Sequence, residues 1–403
     1  NLGGILIDFN KLKEAETFIR KATLIKPDFA EAHLNLATTL RNLGQFNEAE
    51  KSLVQALNIK PDLARAYFVL STLRNPIYQD KWQDNVFSES LISQLSSEDK
   101  IDIYFARSNI LHQQNNYVES AKYLNIANNM KLDLYPSQIN SLITKSKQLQ
   151  IESNNQNIIK SQESNLEDIF IVGMPRSGTT LLESIISINP DVQDLGEVNI
   201  LEESYIIWKS MNENKSELSL SGIYTKKVKE LYLEAKIATN KWLYNYQYVG
   251  IISSQIPNSK IIHCYRNPLD NILSIYRSHF AKGNSFSSSL KDCAKVYLDQ
   301  ATLMNQYKKL YRSNIYDLDY DLLVTNPNQE IKKLISWLGW EWDDLYLSPH
   351  LNSRSVSTAS TVQVRSPINA RSVGGWKNYI QMLEPSISII QNNDTYTDLI
   401  SYI

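Results

Sequence analysis

Two hydrophobic patterns divide this chain. Up to about position 134, small and large apolar residues recur at helical spacing. From about position 165, short continuous apolar runs end in turns and lead into helices. In the first part Ile25-Lys26-Pro27-Asp28 returns as Ile59-Lys60-Pro61-Asp62, which sets Pro27 and Pro61 34 residues apart. Between them Ala30, Ala32, Leu34, Leu36, Ala37, Leu40, Ala49, Leu53 and Ala56 predict two antiparallel helices turning near Gly44. The residues before Pro27 read as most of an earlier copy, and after Ala64 the pattern loosens and partly recovers from Ile101 to Ala127. Three to four helix pairs are expected over residues 1–134. Residues 135–165, rich in Ser, Asn, Gln and Lys, predict a helix fading into a polar linker, with a domain boundary near residue 165.

The second part, residues 166–403, predicts three strands: Asp168–Val172, a run from Lys260 ending at Arg266, and Asn314–Tyr320. Helices are expected over Thr179–Ile188, from Pro268, through Trp337-Leu338-Gly339, and beyond Trp376. Residues 211–225 read as an exposed connection. Strands joined by helical connections predict a parallel α/β sheet with its ligand at the strands' carboxyl ends.

Bulk composition narrows the field. A length of 403 residues allows two domains, and 41 basic against 43 acidic residues argue against a nucleic-acid binder. No apolar run reaches the length of a membrane helix, and no leader is seen before Asn1, where the chain opens partway through a repeat. Cys264 and Cys293 form no CxxC pair and read as buried thiols of a reducing compartment, so a cytoplasmic location is expected. The five histidines show no metal-ligand spacing.

The chemistry centres on Gly173-Met174-Pro175-Arg176-Ser177-Gly178-Thr179-Thr180, a loop between the first strand and its helix. Such a loop aims backbone N–H groups and a helix dipole at one spot, which suits a phosphate. The spacing of Gly173 and Gly178 matches a Walker A loop, yet Thr179 stands where the nucleotide-triphosphate lysine would be, and Arg176 is the loop's cation. Farther on, Arg266 ends a strand with Ser274 in the following helix, an arrangement suited to a dianionic phosphate.

These motifs resemble those of sulfotransferases that use 3′-phosphoadenylyl sulfate (PAPS). They are most similar to the tyrosylprotein sulfotransferases and to bacterial proteins joining such a domain to tetratricopeptide (TPR) repeats. The resemblance implies α plus α/β architecture: TPR-like helical repeats, then a P-loop-like three-layer α/β sulfotransferase domain with a central parallel sheet. It implies that Pro175, Arg176, Ser177, Gly178, Thr179 and Thr180 hold the 5′-phosphosulfate and that Arg266 and Ser274 hold the 3′-phosphate. It places Tyr320 against the nucleotide. The hydroxyl-rich segment bearing Ser360, Thr361, Gln363 and Arg365 would close over adenosine 3′,5′-diphosphate. Where the family carries a basic residue before the tryptophan, this chain has Gly375, with Lys377 as a substitute. An arginine expected four residues after Ser274 is Ser278 here, with Arg277 adjacent.

For catalysis the resemblance assigns the general base to Glu197, and Lys241 to the charge on the departing oxygen. A phenolic hydroxyl, with a pKa near 10, needs such a base. No metal enters this scheme. The expected reaction is sulfuryl transfer from PAPS to an acceptor hydroxyl, first a protein tyrosine guided by the repeat groove, with a carbohydrate or small hydroxylated acceptor as the alternative. The repeats could equally be a passive helical extension packed on the catalytic domain, and a repeat scaffold with an inactive nucleotide-binding domain is a rival. A homodimer is compatible with the sequence.

Overall fold

The computed structural model describes residues 2–8, 11–73, 77, 82–158, 166–212, 218–231, 236–280, 284–352, 354, 356 and 358–393. The expected linker segment 159–165 and Ser357 of the closing segment lie outside these.

The first part is helical. It comprises α1 (Leu2–Asp8), α2 (Leu12–Ile25), α3 (Ala30–Asn42), α4 (Phe46–Ile59), α5 (Ala64–Thr72), the short α6 (Gln83–Val86) and α7 (Glu89–Gln94), and the longer α8 (Ser97–Gln113) and α9 (Tyr117–Leu134). The pairs form because each helix has one apolar stripe. Leu36 and Leu40 of α3 meet Ala49 and Leu53 of α4, and the alanines at Ala37 and Ala49 let the helices approach closely. Helix α10 (Ile139–Asn154) then carries the chain to the sheet.

The second part alternates strands and helices: β1 (Glu167–Gly173), α11 (Thr179–Ile186), β2 (Val192–Asp194), α12 (Ile200–Asn212), α13 (Leu220–Leu231), β3 (Ile237–Asn240), α14 (Val249–Gln255), β4 (Ser259–Tyr265) and α15 (Pro268–Tyr276). There follow α16 (Leu290–Leu310), β5 (Ile315–Asp319), α17 (Tyr320–Thr325), α18 (Pro327–Leu338), α19 (Thr361–Val364) and α20 (Ile380–Gln391). The strands form one parallel sheet of order β2-β3-β1-β4-β5. Central β1 is buried on both faces, which is why it reads as a continuous apolar run.

The sheet corrects the expectation of three strands to five. β2 and β3 are three and four residues long and include Gln193, Asp194, Thr239 and Asn240, too short and too polar to stand out. The expected exposed connection at 211–225 is largely helix in its described part, because Leu220, Tyr224 and Val228 bury one face of α13.

The two parts share a core. One apolar cluster joins Phe68, Phe105 and Leu124 of the repeats to Leu269, Leu273, Tyr297 and Trp376 of the α/β part. Polar contacts continue it: Asn128 Nδ2 donates to Tyr276 O at 3.0 Å and Lys131 Nζ to Phe280 O at 2.6 Å. The later repeat helices therefore pack on the α/β part.

Candidate active site

Each sheet strand delivers a residue singled out from the sequence at its carboxyl end. Arg176 follows β1, Glu197 follows β2, Lys241 follows β3, Arg266 follows β4 and Tyr320 follows β5. Parallel strands point the same way, so residues scattered over 145 positions of sequence meet on one edge.

The loop after β1 is closed by its neighbours. Gly178 has φ of +100°, and a Cβ there would lie 2.3 Å from the Tyr320 ring, so only glycine fits. Arg176 also adopts a left-handed conformation, with φ of +65°. That is an uncommon strain for a non-glycine residue, and it aims the guanidinium across the site. Its Nε donates to Ser274 Oγ at 3.0 Å, Nη2 to Gln363 Oε1 at 2.6 Å, and Nη1 to Ser360 Oγ. All three partners are neutral. Burial, then the nearby Arg266 charge, pulls its pKa down to about 10, so it remains a cation at neutral pH. Asn271 Nδ2 ties the loop by donating to Pro175 O at 2.9 Å, and buried Ser177 Oγ has no hydrogen-bond partner.

Arg266 is buried, its guanidinium 4.7 Å from the Tyr320 ring centroid, with Asp270 and Asp321 at 3.9 and 3.8 Å. Its Nη2 donates to Ser372 O at 2.9 Å. Asp270 also accepts the backbone N–H groups of Gly374 and Trp376 at 2.7 and 2.9 Å, which anchors the segment before α20 beside Arg266. Burial raises its pKa against those bonds.

At the other side Lys241 Nζ lies 2.9 Å from Glu197 Oε1 and 3.7 Å from Glu183 Oε2. Glu183 in turn lies 3.1 Å from Arg354 Nη1, which also meets Asp194. Charges therefore alternate from Glu197 through Lys241, Glu183 and Arg354 to Asp194. Burial works against the Arg354 charge, but Glu183 and Asp194 overcome it and raise its pKa. Past Lys241, Trp242 and Tyr244 line a cleft of about 280 Å³ with Leu142, Lys145 and Glu202.

Most of the residues singled out are thus gathered here. Thr180 Oγ1 stands 3.3 Å from Thr358 Oγ1, and Thr179 is buried at the start of α11. Thr361 is turned inward on its own loop, donating to Val356 O and Thr358 O. Two residues are placed elsewhere. Arg365 donates to the backbone oxygens of Asn352 and Arg354 and lies against Gly44, the turn between α3 and α4. Lys377 is exposed beside Trp376. Sequence reasoning missed Glu183, Asp270 and Arg354. Glu183 falls on the apolar face of α11, and a carboxylate among buried positions was the available signal.

An anionic nucleotide suits this set: Arg176 has no carboxylate within ion-pair distance among the described residues, Ser177 Oγ is orphaned, and the loop bears glycine where a side chain would fill the cradle.

Residues 168–344 match the model of the sulfotransferase family and residues 6–70 that of the tetratricopeptide repeat. Residues 168–344 form a sulfotransferase-family domain. Sequence relatives include an uncharacterized protein of Aquifex aeolicus (strain VF5), 33% identical over 55% of this chain and 32% of its own length. Protein-tyrosine sulfotransferase 2 of Gallus gallus is 25% identical over 57% of this chain and 68% of its own. The chain thus spans about a third of the first relative. Among solved structures, the sulfotransferase domain from the curacin biosynthetic pathway aligns with a TM-score of 0.41 at 17% identity, covering 56% of this chain and 96% of that one. The sulfotransferase match spans β1 to α18 and so contains every strand end of the site, while Ser360, Gln363 and the Asp270-bound turn at Gly374 lie beyond it or reach into it. Among the described residues no helix is long and apolar enough to cross a membrane.

Proposed function

We propose that this chain transfers a sulfuryl group from PAPS to an acceptor hydroxyl, and that a protein tyrosine is the first acceptor to test. The observation that carries the reading is the Glu197–Lys241 contact of 2.9 Å at the same sheet edge as an arginine loop free of carboxylate partners. A base beside a cation, next to an anion cradle, is what in-line transfer from an anionic donor needs.

In this reading the backbone N–H groups of residues 175–180 and Arg176 hold the 5′-phosphosulfate. Arg266 and Ser274 hold the 3′-phosphate, with Tyr320 against the nucleotide. The donor supplies an electrophilic sulfur. Glu197 accepts the acceptor's O–H proton as the new O–S bond forms. The bond from sulfur to the phosphate oxygen breaks, its electron pair stays on that oxygen, and Lys241 donates a hydrogen bond to it. Ser360 and Gln363 hold the closing segment to Arg176 and exclude water. Acceptors enter by the cleft at Trp242 and Tyr244, whose rings suit a phenol. The protein-tyrosine name of the Gallus gallus relative supports the acceptor class, and the repeats supply a surface for the acceptor polypeptide.

Calorimetric titration with adenosine 3′,5′-diphosphate, beside adenosine 5′-monophosphate and ATP, tests the donor site in wild type and Arg266→Ala. Micromolar binding of the bisphosphate alone, lost in the variant, is expected; binding indifferent to the 3′-phosphate would overturn the reading. Radiolabelled PAPS offered with tyrosine peptides, simple phenols and oligosaccharides then separates the acceptor classes.

A further inference from the structure

The segment that meets Arg176 is gathered at its two ends by one side chain. Arg365 follows the short helix α19, which carries Gln363, and Ser360 precedes that helix. Arg365 Nη1 donates to Asn352 O at 2.6 Å and Nη2 to Arg354 O, so the guanidinium staples the start of the segment to its finish. Inside this closure Thr361 Oγ1 donates to Val356 O at 3.0 Å. From the start of the segment Arg354 reaches Glu183 and Asp194, and near its finish Ser360 and Gln363 meet Arg176. Arg365 thus stands between the chain of charges at Lys241 and the phosphate loop.

The staple leans on the repeats. Gly44, in the turn between α3 and α4, has φ of +83°, and a Cβ there would lie 3.3 Å from Arg365 Nε and 3.5 Å from its Cδ. The absent side chain is what lets the turn come this close. Arg365 has little room to yield, because both Nη atoms are bonded to carbonyl oxygens and its buried Nε has no hydrogen-bond partner. Two residues before Gly44, Asn42 O accepts a long hydrogen bond of 3.5 Å from the N–H of Val356, whose side chain is buried. The repeat turn therefore touches the closing segment at both Val356 and Arg365. Within the segment the other ties are side-chain hydrogen bonds, and a stretch held in that way opens more readily than the sheet beneath it.

We propose that Arg365 is a positioning residue that holds the closing segment over Arg176 with the α3–α4 turn of the repeats as its backstop, so that retention of the donor nucleotide depends on the repeats. The consequence for the donor rests on the PAPS reading above, whereas the latch is a property of the fold. Loosening the latch lowers the closed fraction, and apparent affinity falls with that fraction. The change appears in the rate at which nucleotide leaves, since the open site still accepts it.

Amide hydrogen exchange and stopped-flow release of adenosine 3′,5′-diphosphate, both on the full chain, test this in wild type, Arg365→Ala, Gly44→Asn and the double variant. Asparagine tolerates the left-handed backbone and sets a side chain against Arg365, and Gly44→Asn serves should Arg365→Ala not fold. Loss of charge-assisted hydrogen bonds predicts exchange about 10-fold or more faster at residues 358–366 in each single variant, with α16 unchanged. Release of the bisphosphate should quicken by about 3- to 10-fold while association stays within about 2-fold. The double variant should be no worse than Arg365→Ala, because Gly44 acts through Arg365, whereas unrelated structural damage would add. Unchanged exchange in both single variants overturns the latch, and additive effects overturn the link between Gly44 and Arg365. Faster exchange with unchanged release, in a wild type that binds the bisphosphate, overturns the role in donor retention and leaves the donor reading standing. Wild type indifferent to the 3′-phosphate overturns the donor reading, and the exchange rates still decide the latch.

Discussion

Lys241 and Glu183 lie 3.7 Å apart, and both side chains are almost wholly buried, at 1% and 2% exposed. Glu197, on the other side of the same ammonium, is 32% exposed. One cation is therefore shared by two unlike carboxylates. The open one can meet an acceptor, and the closed one can only hold the lysine in place.

Glu197→Gln keeps the shape and removes the base. Transfer should fall by about 10²- to 10⁴-fold, while affinity for adenosine 3′,5′-diphosphate stays within about 2-fold, because no phosphate contact is assigned to this residue. Initial rates with labelled PAPS, set beside a calorimetric titration, provide the check. An undiminished rate would remove Glu197 from the mechanism.

Glu183→Gln should separate positioning from chemistry. The variant leaves Arg354 with Asp194 and Lys241 with Glu197, so the lysine is held from one side only. We expect kcat to drop about 10-fold with the donor KM unchanged, and stability to fall by about 3 kcal/mol, as when one member of a buried ion pair is removed. A change in donor KM alone would place Glu183 in nucleotide binding instead.

At Gly178 the added methyl of Gly178→Ala would meet the Tyr320 ring at 2.3 Å and require φ of +100°. Bisphosphate binding should be lost in calorimetry. Tyr320→Ala in the same chain relieves the collision but leaves the backbone cost of about 1 kcal/mol or more and removes the ring assigned to the nucleotide, so rescue should be partial. Full rescue would show that the clash was the whole effect.

Stability should depend on pH through Asp168. Burial first, and Glu167 second, push its pKa up to about 8, against about 4 in an unfolded chain. The folded state therefore binds more protons across that window. Stability from this group is full below about pH 4 and is lost as pH rises through about 8. Asp168→Asn should flatten the melting temperature between pH 5 and 8 and stabilise the protein at pH 8 by about 2 kcal/mol, a discounted share of about 1.4 kcal/mol per pH unit. Parallel melting curves for the two proteins would refute this.

Much of the fold was legible because local chemistry repeats or stands out. The 34-residue recurrence around Pro27 and Pro61 announces stacked helix pairs, and the apolar runs of β1 and β4 announce buried parallel strands. β2 and β3 escaped notice because three or four residues with polar members carry no period. Arg365 shows the opposite failure. A cation in a hydroxyl-rich segment looks like a nucleotide ligand, yet its guanidinium is occupied by carbonyl oxygens and the α3–α4 turn.

By itself the sequence determined which residues end up at the carboxyl edge. Arg176, Lys241, Arg266 and Tyr320 each stand next to the strand that carries them, and that adjacency is a local property of the chain. Only the tertiary structure decided who faces whom. The sharing of Lys241 between Glu197 and Glu183, the link from Glu183 to Arg354, and the hold of His112 on Tyr379 join residues from 44 to 267 positions apart. Such pairs are chosen by how the sheet twists and which faces must be buried, and no periodicity along the chain encodes them.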